Sequence, residues 1–111
     1  MKKIMLLFLI TFLEFTSFAY GKEVYLDVRT PKEYEEEHVP QAINIDVLNA
    51  NFKTEVAKLN RDDDYKVYCR SGKRTAQAIA IMKELDFKHM ENLGGLEDAK
   101  KVYNKAHPTG K

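Results

Sequence analysis

One strand–loop–helix unit around Cys69 constrains this chain more than any other feature. The strand-like run Tyr65-Lys66-Val67-Tyr68 leads into Cys69, and a helix-like run from Thr75 to Leu85 follows. This order places a thiol where free backbone N–H groups and the positive end of a helix dipole meet. Such surroundings lower the pKa of a thiol, and the thiolate is its reactive form. We therefore predict that Cys69 is a nucleophile that acts on an anionic substrate.

The residues after Cys69 carry the groups that a small anion requires. Small residues let the bend curl until its backbone N–H groups converge, and arginine adds charge and paired donors. A buried, inert cysteine is the alternative, but the flanking cations favour a partly exposed thiol of low pKa. Besides the catalytic Cys69, the predicted binding residues are Arg70, Ser71, Gly72, Lys73, Arg74 and Thr75.

Strand-like and helix-like runs alternate along the rest of the chain. Thr30-Pro31-Lys32-Glu33 has the composition of a helix start with a capping box. We predict strands at 23–28, 42–45, 65–68 and 91–93, and helices at 31–37, 51–59, 75–85 and 96–104, with Gly94-Gly95 as a turn. This alternation predicts an α/β fold, a mostly parallel sheet with helices on both faces, whose ligand lies at the carboxyl ends of the strands.

The N-terminal residues have the pattern of an export signal. Lys2 and Lys3 precede an apolar run, and Ala19-Tyr20-Gly21 offers a cleavage site. We expect residues 1–21 to be a signal peptide, cleaved after Gly21, and residues 22–111 to be one periplasmic domain. Glu14 interrupts the apolar run, so stable membrane association is not expected, although an uncleaved anchor is the alternative.

Charge and cysteine content limit the possible functions. Without residues 1–21 the chain has 16 basic and 16 acidic side chains, so no basic stripe for nucleic acid is expected. One cysteine cannot form an intramolecular disulfide, and an odd cysteine in an exported chain indicates a reactive thiol. The three histidines lack zinc-ligand spacing, and we predict neither a metal nor a cofactor.

Several motifs occur in the order found in rhodanese domains, which the chain resembles from about Glu23 to Pro108. These motifs are Asp27-Val28-Arg29, Glu33-Tyr34, His38-Val39-Pro40-Gln41-Ala42-Ile43-Asn44, Cys69-Arg70-Ser71-Gly72-Lys73-Arg74-Thr75 and Asn92-Leu93-Gly94-Gly95. With its small size and export signal, the chain resembles the single-domain periplasmic rhodaneses of the phage-shock type. It departs from the usual pattern at Gln41, where glycine is common, and in having no tryptophan after Gly95.

The resemblance implies a thiosulfate sulfurtransferase of rhodanese-like fold. Cys69 would take the outer sulfur of thiosulfate as a persulfide, and a thiophilic acceptor such as cyanide, or a protein, would remove it. The resemblance makes 70–75 the binding loop. Asp27 and Arg29, at the end of the first strand, are expected to brace that loop, with the Asp27 carboxylate orienting an arginine such as Arg74; a simple turn residue is the equally supported alternative for Asp27.

Two other functions stay open at this point. The same loop would also serve a non-enzymatic sulfur relay or partner-binding module, or a small phosphatase or arsenate reductase. Related phosphatases and arsenate reductases have a loop one residue longer than the Cys69–Arg74 loop. A self-contained reductase cycle would also need a second, resolving thiol.

Overall fold

The protein is described by a computed structural model that covers residues 21–108. The predicted signal peptide lies outside the described residues except for Gly21, and residues 109–111 lie outside them too. Within residues 21–108, no helix has the length and apolar character needed to cross a membrane.

The eight elements within residues 21–108 alternate in type. The strands are β1 (Glu23–Asp27), β2 (Ile43–Asn44), β3 (Asp64–Cys69) and β4 (Met90–Gly95). The helices are α1 (Pro31–Glu36), α2 (Phe52–Val56), α3 (Lys73–Glu84) and α4 (Leu96–Ala106).

The strands form one parallel sheet in the order β2-β1-β3-β4. Leu26 pairs with Val67 and Asp27 with Tyr68, so β1 and β3 end at the same edge. This confirms the predicted α/β fold. The carboxyl ends of all four strands therefore face the region where Cys69 begins its loop.

Each face of the sheet has its own apolar core, because side chains alternate between faces along a strand. One core contains Leu26, Val67 and Cys69 from the strands and receives α2 and α3 through residues such as Val56 and Met82. The other core consists of Tyr25, Val39, Ala42, Tyr68, Leu93 and Ala99, the last of which comes from α4. Helices thus cover both faces, as predicted.

Most predicted boundaries lie within one or two residues of the observed ones, and two predictions need a larger correction. Gly94-Gly95 is not a turn but the end of β4, which continues alongside the Cys69 loop. The helix predicted at 51–59 is confined to Phe52–Val56. After that point, the N–H groups of Lys58 and Leu59 bond to carbonyls three residues back, which tightens the last turn.

Gln41, where the resemblance would favour glycine, adopts a left-handed backbone conformation with φ 66°. It lies in the turn where the Ala42 N–H donates to the Val39 carbonyl at 3.0 Å. A residue with a Cβ pays a steric cost in this region, whereas glycine does not. The turn therefore forms despite local strain.

We predict that Gln41→Gly raises the free energy of unfolding by about 0.5–1 kcal/mol, because the relieved strain exceeds the backbone entropy that glycine loses on folding. Urea unfolding followed by circular dichroism measures the change. Gln41→Ala, which keeps the Cβ, should leave stability close to wild type. A destabilised Gln41→Gly protein would contradict the strain argument.

Candidate functional site

The functional edge of the sheet brings together the ends of three strands. Cys69 ends β3, and its partner across the ladder is Gly95, at the end of β4. Asp27 ends β1 beside Tyr68. The loop from Cys69 to Gly72 then bends into α3, so the predicted strand–loop–helix unit has the expected order.

Cys69 is fully buried and is a free thiol. This differs from the partly exposed thiol expected from the sequence, because the loop curls over the sulfur. The Gly72 N–H donates to Cys69 Sγ at 2.9 Å. Gly72 has φ 101° and ψ −16°, a left-handed conformation suited to glycine, and it immediately precedes the first residue of α3.

Burial and hydrogen bonding act on the thiol in opposite directions. Burial alone would raise the pKa of Cys69, but the Thr75 side chain and the N–H groups of Ser71, Thr75 and Gly72 outweigh it and lower the pKa. Donors stabilise the thiolate because they bond to the charged form. The predicted activation of Cys69 thus has a local cause in the loop and the first turn of α3.

The Thr75 hydroxyl is the buried polar group of this site that lacks a hydrogen-bond partner. It makes no hydrogen bond of normal geometry, yet it lies close enough to Cys69 to lower the thiol pKa. A hydroxyl hydrogen rotates to suit its acceptor, and a thiolate is a much better acceptor than a thiol. We infer that the Thr75–Cys69 hydrogen bond becomes strong when the thiol ionises.

The end of β4 lies directly against the active loop. A Cβ on Gly95 would lie 2.2 Å from the Arg70 carbonyl oxygen, a distance that no side chain tolerates. Asn92 adds a polar contact: its Nδ2 donates to the Gly72 carbonyl at 3.3 Å, and its Oδ1 accepts from the Gly94 N–H at 2.8 Å. Glycine at the end of β4 therefore permits the loop to adopt its curvature.

The carboxylate that holds Arg74 belongs to Glu33, so the expectation that Asp27 orients Arg74 is wrong. Arg74 donates from Nη1 to Glu33 Oε1 at 2.9 Å and from Nη2 to Oε2 at 3.2 Å. These hydrogen bonds, opposed by burial and helped by Thr30, lower the pKa of Glu33 to about 2. The pair's contribution to stability is therefore complete above about pH 4.5 and is lost as the pH falls toward 2.

Asp27 instead holds Arg29, in a buried pair at the end of β1. Arg29 Nε lies 3.0 Å from Asp27 Oδ1, and its Nη2 lies 2.7 Å from Oδ2. The same Nη2 donates to the Glu37 carbonyl at 2.6 Å, and the guanidinium lies 5.7 Å from the Tyr68 ring centroid. Sequence reasoning placed Asp27 at the right strand end but gave it the wrong partner, because Arg29 is closer along the chain and equally able to form a bidentate pair.

A cleft of about 440 Å³ lies beside the active loop. Its lining comprises Arg29, Glu33, Glu36, Arg70, Ser71, Gly95, Leu96, Glu97 and Asp98. The Arg70 side chain is 80% exposed and has only a loose pairing with Glu33 Oε2 at 3.7 Å. Leu96 stands in the cleft where the usual pattern has a tryptophan after the two glycines. Of the predicted cations, Arg70 is thus the one that remains available at the cleft.

The other predicted groups are distributed around this centre. Lys73 is exposed at the first position of α3, outside the cleft lining. A larger cleft of about 570 Å³ is lined by Glu23, Asp64 and Lys88, near the amino ends of the strands, and so lies far from Cys69. Among residues 21–108, no group of three or more acidic, histidine or cysteine side chains is arranged to hold a metal ion.

Sequence reasoning missed two residues that contact the loop. Glu33 was recognised as the capping-box partner of Thr30, which the structure confirms, and as part of the Glu33-Tyr34 motif, but no contact with the loop was assigned to it. Its pairing with Arg74 spans 41 positions, and no local pattern indicates it. Asn92 belonged to a quoted motif but had no assigned role, although an amide beside two glycines at a strand end is a signal for backbone contacts.

Comparisons with known proteins identify a family. A family model described as Rhodanese-like domain matches residues 17–101. The chain is 39% identical over 79 residues to the thiosulfate sulfurtransferase PspE of Escherichia coli, covering 71% of this chain and 76% of that protein. It is 36% identical to the putative sulfurtransferase YtwF of Bacillus subtilis, covering 68% and 72%. The solved structure of a rhodanese with anions from E. coli is similar, with TM-score 0.59, 41% identity, and coverage of 68% and 89%.

We predict that Thr75→Val raises the pKa of Cys69, because valine keeps the volume but cannot donate to the thiolate. The rate of alkylation by iodoacetamide, measured against pH, should rise at a higher pH than in the wild type. Thr75→Ser keeps the hydroxyl and serves as the matched control. An unchanged profile in Thr75→Val would show that the backbone N–H groups alone lower the pKa.

Proposed function

This chain belongs to the rhodanese-like domain family, and on that premise we propose that it transfers the outer sulfur of thiosulfate to a thiophilic acceptor. The relatives PspE and YtwF are named as a thiosulfate sulfurtransferase and a putative sulfurtransferase, which supports sulfur transfer as the kind of reaction. The choice of thiosulfate follows from the activity for which the relative PspE is named and from the chemistry of the loop. The observation that carries the proposal is the Gly72 N–H directed at Cys69 Sγ at 2.9 Å.

The first half-reaction uses the thiolate of Cys69 as the nucleophile. It attacks the outer sulfur of thiosulfate, the S–S bond of the donor breaks, and sulfite leaves with the bonding electron pair. The outer sulfur remains on Cys69 as a persulfide. The N–H groups of Ser71, Gly72 and Thr75, which favour the thiolate, would equally stabilise the negative sulfur of the persulfide.

The donor's sulfonate end requires a cation that is not already neutralised. Arg74 is occupied by Glu33, whereas Arg70 is exposed beside the cleft. We assign the recruitment of the anionic donor to Arg70 and the backbone of the loop. Because Cys69 is buried in the resting structure, residues 70–72 must shift when the donor enters.

The second half-reaction returns the thiolate. A thiophile attacks the outer sulfur of the persulfide, the Cys69 thiolate leaves, and with cyanide the product is thiocyanate. A cysteine thiolate of a partner protein would react in the same way and become the new persulfide.

Intact-mass measurement tests the covalent intermediate. Thiosulfate should add one sulfur atom, about 32 Da, to the reduced protein, and cyanide should remove it, as a two-step nucleophilic mechanism requires. Cys69→Ser should show no adduct. Failure of the wild type to gain this mass, or an adduct that persists in Cys69→Ser, would refute the assignment of Cys69 as sulfur carrier.

We also propose that residues 1–21 direct export to the periplasm, on the strength of the charged start, the apolar run and the Ala19-Tyr20-Gly21 site. The expected product is a periplasmic protein that begins at Lys22. N-terminal sequencing of protein from the periplasmic fraction checks this. A membrane-bound product that begins at Met1 would favour the anchor instead.

A further inference from the structure

Glu33 connects α1 to the loop that carries the nucleophile. Its Oε1 accepts from the Thr30 backbone N–H at 3.0 Å and from the Thr30 hydroxyl at 3.1 Å. The same carboxylate accepts both terminal nitrogens of Arg74 and lies 3.7 Å from Arg70. One side chain therefore joins the start of a helix to two positions of the active loop.

The contact reaches the sulfur through one peptide unit. Arg74 is followed directly by Thr75, whose N–H and hydroxyl both act on the thiol of Cys69. A bidentate pair fixes the guanidinium in direction as well as in distance. Restraint at the Arg74 side chain therefore restrains the first turn of α3, from which the thiol receives two of its donors.

The position of Glu33 allows its contact with the active loop to be tested separately from the stability of the core. Helix α1 contains no fully buried residue, and the side chain that it packs against an apolar core is Tyr34 rather than Glu33. Glu33 itself is half-buried, at the wall of the cleft beside the loop. Removing the charge of Glu33 should therefore change the reactivity of the site more than the stability of the fold.

We propose that Glu33 is a positioning residue for sulfur transfer, which holds the donors around Cys69 in place through Arg74. The expected effect of Glu33 on the rate of sulfur transfer rests on the function proposed above. Its expected effect on the ionisation of the Cys69 thiol does not. The Arg74 guanidinium donates its hydrogen bonds to Glu33, whereas Cys69 Sγ accepts from the Gly72 N–H. Glu33 fixes the Arg74 end of the loop, so that the N–H groups stay directed at the sulfur of Cys69 as negative charge develops on it.

The test uses Glu33→Gln, with Glu35→Gln as the matched control. Glutamine keeps the capping-box bond to Thr30 but removes the charge that orients Arg74. Glu35 is exposed on the same helix, so its variant changes the net charge equally without touching the loop. Both variants are compared with the wild type in steady-state thiosulfate–cyanide kinetics and in the pH profile of alkylation by iodoacetamide.

The expected result for Glu33→Gln is a fall in kcat/KM of about tenfold to a hundredfold, mostly in kcat, because misaligned donors stabilise the transition state less. Alkylation of Cys69 should also shift to higher pH, while Glu35→Gln matches the wild type in both measurements. An unshifted alkylation profile in Glu33→Gln would overturn the proposal, whatever the kinetics. If the wild type transfers no sulfur, the proposed function fails, and the alkylation profiles still decide the role of Glu33.

A double-variant comparison tests whether Glu33 acts through Arg74. If it does, Glu33→Gln combined with Arg74→Gln should lose no more activity than Arg74→Gln alone, because each change removes the same contact. Fully additive losses would overturn the proposal. If Glu33→Gln does not fold, Arg74→Lys is used in its place. Lysine keeps the positive charge but cannot form the two parallel hydrogen bonds of arginine, and we expect the same shift in the pH profile of alkylation.

Discussion

The active loop depends on how closely the end of β4 approaches it. A Cβ at Gly95 would lie 2.2 Å from the Arg70 carbonyl oxygen, and one at Gly72 would lie 3.4 Å from Gly94 Cα. With only backbone atoms between them, the loop can press against the strand and turn its N–H groups inward. The donors that lower the pKa of Cys69 are thus a consequence of packing between segments that are 22 to 25 positions apart in the sequence.

Two ion pairs lie at the edge of the sheet where the strands end, and they differ in burial. The Asp27–Arg29 pair is buried, where desolvation offsets much of the Coulomb attraction, so its value lies mainly in fixing the end of β1 and the Glu37 carbonyl. The Glu33–Arg74 pair is partly exposed and joins two elements distant in sequence. Between them, Arg29 and Arg74 are both occupied, which leaves Arg70 as the exposed arginine at the cleft.

Local patterns predicted most of this site, and the exceptions have a common cause. Tyr65 to Leu85 was recognisable as strand, loop and helix because each run has its own periodicity. Gly94-Gly95 was mistaken for a turn because glycine serves both turns and close backbone approaches, and only the neighbouring loop distinguishes the two. The burial of Cys69 also went unpredicted, since it follows from the curl of the loop over the sulfur.

The sequence by itself determined the order of strands and helices, the capping box at Thr30 and Glu33, and the place of Cys69 between a strand and a helix. These features depend on residues within a few positions of one another, and their physical causes are local. Only the tertiary structure decided that Glu33 rather than Asp27 holds Arg74, and that Gly95 supports the loop. Contacts of this kind depend on the parallel strand order, which brings distant residues to one edge of the sheet.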